Sequence, residues 1–159
     1  LILLTYVNPL RSAIGAASSD VPIINDAWYN ALTAINKNSS QNAIITSWWD
    51  FGHHFKALAD RPVTFDGTTQ IFYPAHWVGK LLMTDNEDYS MGILRMLDCG
   101  GDRAFNAIYE VNNDTHLSLK ILNEIILLNK ESAEKRLKEL KFDKKQIEKI
   151  LLLSHCAPP

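Results

Sequence analysis

This sequence contains few cysteines, no long hydrophobic run and no large excess of positive or negative charge. Its 159 residues include two cysteines, and 16 Lys and Arg nearly balance 18 Asp and Glu, giving a formal net charge of -2. No apolar run reaches the ~18 to 20 residues that a membrane-spanning helix requires. The small net charge provides no basic surface of the kind that nucleic-acid-binding proteins use, so we expect no nucleic-acid partner.

The two cysteines, Cys99 and Cys156, follow no metal-ligand spacing. A disulfide, two free thiols or separate structural roles are all compatible with this pattern, and we favour the absence of a bridge. Cys99 would be a nucleophile if His116 lay beside it, but a buried structural thiol is the more common arrangement. The sequence also lacks a P-loop, a dinucleotide fingerprint and a Gly-x-Ser-x-Gly elbow.

What the sequence does contain is typical of one globular domain with a sizeable core, since 47% of its residues are apolar and 21% are charged. Most long segments follow the 3.6-residue period of a helix. We therefore predict a single compact helical domain, mainly α with a few short β-strands (α+β). The two strands nearest the centre of the chain are expected at Ala43–Thr46 and Val63–Asp66.

Helix starts and chain breaks divide the sequence further. Pro9, Gly15 and the serines before Asp20 favour a loop or linker over residues 1–19, with the globular domain over residues 20–159. Asp26 is a plausible N-cap for one helix, and Asp85 is a plausible N-cap for a helix of about three turns that ends near Gly100. Farther on, Asp143 and Gln146 have capping-box spacing.

The stretch Ser47–His54 carries the clearest chemical signal. The indole N–H groups of Trp48 and Trp49 can only donate a hydrogen bond, and the ionised carboxylate of Asp50 can only accept one. A hydroxyl group does both, so it is the natural ligand for this set. The alternative is a buried aromatic corner in which Asp50 begins a helix.

A second candidate lies on the predicted helix Asp85–Leu97. Asp88, Met91 and Arg95 have the i, i+3 and i+7 spacing that places them on one helical face. The thioether of Met91 is flexible and polarisable, so it would pack against a small methyl group such as that of Thr. The alternative is a core methionine on an amphipathic helix.

Trp48-Trp49-Asp50-Phe51-Gly52 resembles the WWDYG signature of the catalytic subunit of oligosaccharyltransferase, with Phe51 in place of Tyr. The flanking segments Asp26 to Leu32, Ala43 to Ser47 and Asp60 to Gly67 are similar to the family as well. Asp88-x-x-Met91 resembles part of its second signature, Asp-x-x-Lys or a Met-containing variant. The resemblance covers roughly residues 20–109, and the lysine-rich end contributes nothing to it.

This resemblance implies a C-terminal, extracytoplasmic domain of a multi-pass cell-membrane protein, of the archaeal type, whose preceding membrane region adjoins residues 1–19. The enzyme of this family moves a lipid-linked glycan onto the Asn of Asn-x-Ser/Thr sequences. Trp48, Trp49 and Asp50 would bind the Ser/Thr hydroxyl of the acceptor, and Asp88 and Met91 would border that pocket. We expect no catalytic residue and no metal in this chain, because the family holds its divalent metal (Mn or Mg) in the membrane region.

Two other classes of function are compatible with the residues. A non-enzymatic helical interaction module would have both Trp48 and Trp49 fully buried. A small metal-dependent hydrolase would use His53, His54 and Asp66, although no spacing of the HExxH type places two of these ligands on one helical face. We rank the hydrolase last.

Overall fold

The computed structural model describes residues 2–20, 23–70 and 74–156, with side chains from residue 9 onward. Over these residues the chain forms nine α-helical segments, and a 3-10 turn (Trp49–Phe51) and a π-helical turn (Phe55–Ala59) flank the third. The segments are α1 (Ile2–Ser19), α2 (Asp26–Asn38), α3 (Gly52–His54), α4 (Pro74–Met83), α5 (Glu87–Gly100), α6 (Arg103–Asn112), α7 (Thr115–Ile126), α8 (Lys130–Glu139) and α9 (Lys144–Ser154). The mainly α prediction is confirmed.

The predicted strands are reduced to one parallel bridge between Ile45 and Val63. The amide of Ile45 donates to the Pro62 carbonyl at 2.8 Å, and the amide of Thr64 donates to the Ile45 carbonyl at 3.1 Å. The hydroxyls of Thr46 and Thr64 lie 2.7 Å apart beside these bonds. The prediction of a few short strands is therefore not confirmed, since pairing stops after one residue on each side within the described segments.

Two hydrophobic clusters form the core over the residues whose side chains the structure describes. The larger cluster is built mainly from α4 to α9, and its fully buried side chains include Trp77, Ile93 and Ile108. The smaller cluster surrounds Leu32 of α2 and Phe55 of the π-helical turn. The tryptophan segment connects them, because Trp49 packs against the larger cluster and Phe51 packs against the smaller one.

Two N-caps lie one residue away from the predicted positions. Asn25, not Asp26, caps α2 by accepting from the Trp28 amide at 3.1 Å. In the same way Asn86 caps α5 in place of Asp85, accepting from Tyr89. Asn and Asp are equally good caps, so the sequence alone does not decide between adjacent candidates. The predicted capping box of Asp143 and Gln146 is confirmed.

The loop predicted over residues 1–19 is wrong, because α1 occupies Ile2–Ser19 with Pro9 inside it. Every side chain from Pro9 to Ser19 is exposed. Leu10, Arg11 and the three alanines that follow them favour a helix, and their propensity outweighs the breaks expected from Gly15 and the serines. Among the described residues, no helix combines the length and apolarity required to cross a bilayer.

The preference against a disulfide is also wrong. Cys99 of α5 is bonded to Cys156, which lies just beyond α9, and their Cα atoms are 5.5 Å apart. Packing of α9 against α5 brings together two residues that are distant in sequence. Cysteine spacing carries no trace of that packing, and the bridge removes Cys99 as a candidate nucleophile.

Candidate functional site

The backbone of the tryptophan segment changes direction sharply between Trp48 and Gly52. Trp48 is extended, and the 3-10 turn Trp49–Phe51 follows it directly. A Cβ atom on Gly52 would lie 2.6 Å from Cβ of Asp66 and 2.8 Å from the carbonyl oxygen of Phe65. Glycine at this position is therefore what allows the turn to lie against residues 65 and 66.

The two tryptophans are supported but not enclosed. The Trp48 ring meets Phe65 edge-on with centroids 5.8 Å apart, and it passes 3.9 Å from where a Cβ on Gly79 of α4 would lie. Its side chain nevertheless remains 41% exposed. Trp49 is half-buried against the larger cluster. Full burial of both rings, which the interaction-module alternative requires, is therefore wrong.

Asp50 is exposed on the first turn that follows Trp48. Within the described part of the chain, its carboxylate and the two indole N–H groups have no hydrogen-bond partner on the protein. Three consecutive residues thus carry one acceptor and two donors that are free to bind a ligand. A hydroxyl would complete the set by accepting from an indole and donating its proton to the carboxylate.

A buried carboxylate lies behind this surface. Asp66 is 1% exposed, is ion-paired with Lys56, and accepts from the amide and hydroxyl of Thr68 at 3.0 and 2.6 Å. The hydrogen bond from Lys56, followed by those from Thr68, holds the pKa of Asp66 far below its usual range. His53 is 3.8 Å from the same carboxylate. Asp66 therefore holds the turn that follows residue 65 against the helical turns that contain His53 and Lys56.

Stability is expected to fall in acid because of Asp66. Its folded pKa lies below the ordinary 3.8, so its contribution is fully present above pH 3.8 and is lost as the pH falls toward the lowered value. A salt-bridged Asp contributes on the order of 2 kcal/mol in this way. Urea unfolding at pH 7 and pH 3 measures the loss, and Lys56→Met should reduce it. An unchanged difference in Lys56→Met would contradict the role given to the ion pair.

Arg61 anchors the opposite side of the motif. Its guanidinium, in a side chain only 5% exposed, donates to carbonyls of Asn36 and Ser39 at 2.6 and 2.7 Å and to those of Ala59 and Asp60 at 3.2 and 2.8 Å. These carbonyls belong to the end of α2 and the end of the π-helical turn, where backbone acceptors lack partners. One side chain thus joins α2 to the segment that follows the motif.

The other two predicted residues lie on α5. Met91 is 58% exposed and borders a cavity of about 630 Å³, whereas Asp88 is exposed one helical turn earlier. The cavity is lined by Ser40, Asn42, Ala43, Ile44, Thr46, Met91, Leu94, Arg95, Asp98, Cys99 and Cys156. Met91 therefore faces the chain that leads into Trp48, while neither Asp50 nor Asp88 is among the lining residues.

Sequence reasoning missed the residues that hold the motif in place. The sequence indicates Asp66 only as a candidate metal or hydrolase residue, and it gives no local signal for Lys56 or Arg61. Thr two residues after Asp66 is typical of an Asx-turn and was a usable signal. The described residues contain no cluster of three or more His, Cys, Asp or Glu side chains that would hold a metal ion.

Comparisons with known proteins gave two kinds of match. The family profile described as "HaoA-associated protein HaoB" matches residues 5–89. Proteins named dolichyl-phosphooligosaccharide-protein glycotransferase match more of the chain: that of Methanococcus voltae is 38% identical over 140 residues, and that of Methanocaldococcus jannaschii is 40% identical over 137 residues. These matches cover 85% and 84% of this chain.

A eukaryotic protein, the dolichyl-diphosphooligosaccharide–protein glycosyltransferase subunit STT3 of Dictyostelium discoideum, is 35% identical over 66 residues, which is 42% of this chain and 9% of that protein. The chain spans about 15% of the length of the two archaeal relatives. No solved structure matches it.

Proposed function

The chain belongs, through residues 5–89, to the family described as HaoA-associated protein HaoB, and we propose that it is a domain of a dolichyl-phosphooligosaccharide-protein glycotransferase. The proposal rests on its homology, over about 85% of its length, to archaeal proteins of that name. The proposed task is recognition of the acceptor protein, by binding the Ser or Thr hydroxyl two residues after the acceptor Asn. The glycan is transferred elsewhere in the enzyme.

The glycotransferase relationship guides this proposal because it includes more of the chain. The HaoB match ends at residue 89, before Met91, and its description names an associated protein and no reaction. The archaeal glycotransferases match over 137 to 140 residues. The named homologues are glycosyltransferases. We therefore expect the exposed donor and acceptor groups of the tryptophan segment to bind a substrate of glycosyl transfer.

One observation carries the assignment of the site: Trp48, Trp49 and Asp50 present unpartnered groups on a rigid support. Gly52 and Asp66 fix the backbone of the turn, so binding does not have to order it first. A hydroxyl that accepts from an indole and donates to Asp50 is held in one orientation. An acceptor without the hydroxyl would leave these groups unpaired and would be discriminated against.

In this proposal Asp88 and Met91 lie at the border of the hydroxyl site, and the cavity that Met91 lines is a neighbouring one that includes neither Asp88 nor the tryptophan segment. The exposed thioether of Met91 would pack against the methyl group of Thr and favour Thr over Ser modestly. We place the reacting groups, a divalent metal and the lipid-linked glycan in other parts of a multi-pass membrane enzyme, and this domain on the extracytoplasmic face. Anchoring the hydroxyl sets the register of the acceptor, which positions the weakly nucleophilic Asn amide for reaction.

Replacing Asp50 by Ala is expected to lower transfer more than replacing Asp88 by Ala. Losing a hydrogen bond to a charged group costs about 1.5–3 kcal/mol, which corresponds to roughly 10- to 100-fold in transfer to an Asn-Ala-Thr peptide. Glycan transfer by membranes that carry the full-length protein measures the effect. Glu87, which neighbours Asp88 and is also exposed, provides the control Glu87→Ala, whose activity should match wild type.

The order of the two effects is decisive. If Asp88→Ala is the more damaging change while both proteins are folded and membrane-bound, Asp50 does not bind the hydroxyl. Transfer that is insensitive to Asp50→Ala, or a wild-type protein with no transfer activity, would contradict the proposed function itself. Because Asp50 is exposed, its replacement is not expected to disturb the core.

A further inference from the structure

The backbone that leads into Trp48 has one paired edge and one open edge. Both the amide and the carbonyl of Ile45 are bonded to residues 62–64. Successive residues in an extended chain point these groups to opposite sides, so those of Ile44 and Thr46 point away from residues 62–64. Over the described segments these four groups have no hydrogen-bond partner. Such an edge is a template for another extended chain.

The same two residues line the cavity that contains Met91. Its apolar surface includes Ile44, Met91 and Leu94, and the Cys99–Cys156 disulfide also borders it. Ile44 is 41% exposed and Met91 is 58% exposed. A volume of about 630 Å³ accommodates several residues of a peptide and lies within the range of ligand-binding clefts.

Charge at this groove favours one kind of occupant. Arg95 borders it, but its guanidinium already donates to the carbonyls of Ile126 and Leu128 at 2.8 and 3.1 Å. Asp98 also borders it and has no ionic partner in the part of the chain that the structure describes. The lining thus carries one cation whose donors are already used and one carboxylate that is free to accept. A peptide with apolar side chains and a basic side chain that reaches Asp98 fits both features.

We propose that this groove binds the acceptor residues that follow the hydroxyl residue, as an extended strand paired with the open edge at Ile44 and Thr46. The inference rests on the function proposed above and names a further part of the substrate. Since the transfer chemistry lies elsewhere, the acceptor Asn points away from this chain and the residues after the hydroxyl lie along it. Thr46 precedes Trp48 by two residues, about 6.6 Å of extended chain, so pairing begins at roughly the fourth position after the Asn.

Transfer to peptides of two lengths tests the groove in membranes that carry the full-length protein. One peptide ends at Asn-Ala-Thr, and the other continues for five residues with Leu at the fourth position after the Asn and Lys at its end. The longer peptide is expected to have a KM about tenfold lower at unchanged kcat, because the added contacts form before the reaction. N-methylation of the tail amides, or Glu in place of the terminal Lys, should remove much of that gain.

Variants of the protein locate the effect. Ile44→Glu should abolish the advantage of the longer peptide, because it places a charge on the apolar wall beside the open edge. Leu152→Glu is the matched control, since Leu152 is a 67% exposed apolar residue of α9 outside this groove. It should keep the full advantage. A peptide with a benzophenone side chain at the fourth position should cross-link to residues 44–46 or to Met91.

The outcomes separate the two proposals. If the short peptide is transferred and the reaction depends on Asp50, but the longer peptide gains nothing or cross-links elsewhere, the groove proposal is overturned and the hydroxyl site stands. Equal loss in Ile44→Glu and Leu152→Glu would also overturn it. If neither peptide is transferred, the proposed function fails. In that case a cross-link at residues 44–46 still supports peptide binding in the groove. The absence of that cross-link would overturn the groove proposal as well.

Discussion

Arg61→Met is expected to destabilise the chain by on the order of 3 kcal/mol, because among the described residues Arg61 is the only donor to the carbonyls of Asn36, Ser39 and Asp60. The guanidinium of Arg61 is 5% exposed and has no carboxylate partner among the described residues. Its charge is instead stabilised by the carbonyl ends of α2 and of the π-helical turn. Met fills similar volume but leaves those carbonyls without a partner. Urea unfolding measures the loss.

Two comparisons make this prediction specific. Arg61→Lys keeps the charge but presents a single ammonium group in place of a planar fork, so it should recover part of the stability and no more. Arg103→Met is the control, since Arg103 is exposed and donates to the Gly100 carbonyl at 3.0 Å. Its effect should stay within about 0.5 kcal/mol. Equal losses in the two Met variants would show that the Arg61 bonds contribute little.

The same anchoring explains why part of the site was predictable from sequence and its support was not. Trp48, Trp49 and Asp50 are consecutive, so the chemistry of their donors and acceptor is visible in the sequence itself. Arg61 acts on α2 and Asp66 acts on the motif only after the chain has folded back. A buried arginine with carbonyl partners has no local sequence signature. The tertiary contacts of the motif were therefore beyond sequence reasoning.

The fold shows the same division between local and distant information. Helical periodicity and the capping box at Asp143 are local, and both predictions are confirmed. The bridge between Cys99 and Cys156 depends on how α9 packs on α5, which cysteine spacing does not encode. The strand predicted at Ala43–Thr46 is not confirmed, because the length of pairing is set by the partner segment. Only Ile45 and Val63 pair there.

Gly52→Ala is expected to lower stability by about 2 kcal/mol and to disrupt the acceptor site at the same time. The new Cβ would lie 2.6 Å from Cβ of Asp66 and 2.8 Å from its Cα atom, so backbone has to move and no flexible side chain absorbs the strain. The movement separates the turn Trp49–Phe51 from residues 65 and 66, and Phe65 also supports the Trp48 ring. Unfolding measurements on the chain and glycan transfer by the full-length protein should therefore both change.

Gly15→Ala is the matched control, because a Cβ at Gly15 of α1 meets nothing within 4 Å. Ala has the higher helix propensity, so Gly15→Ala should be neutral or stabilising by up to about 1 kcal/mol. The two variants differ by the same methyl group, and only the surroundings of the glycine distinguish them. If Gly52→Ala keeps both its stability and its transfer activity, the close approach of the motif to Asp66 does not fix the site. If stability alone falls, the Trp-Trp-Asp surface tolerates a shift of its support, and rigidity of the turn is not what orients the hydroxyl.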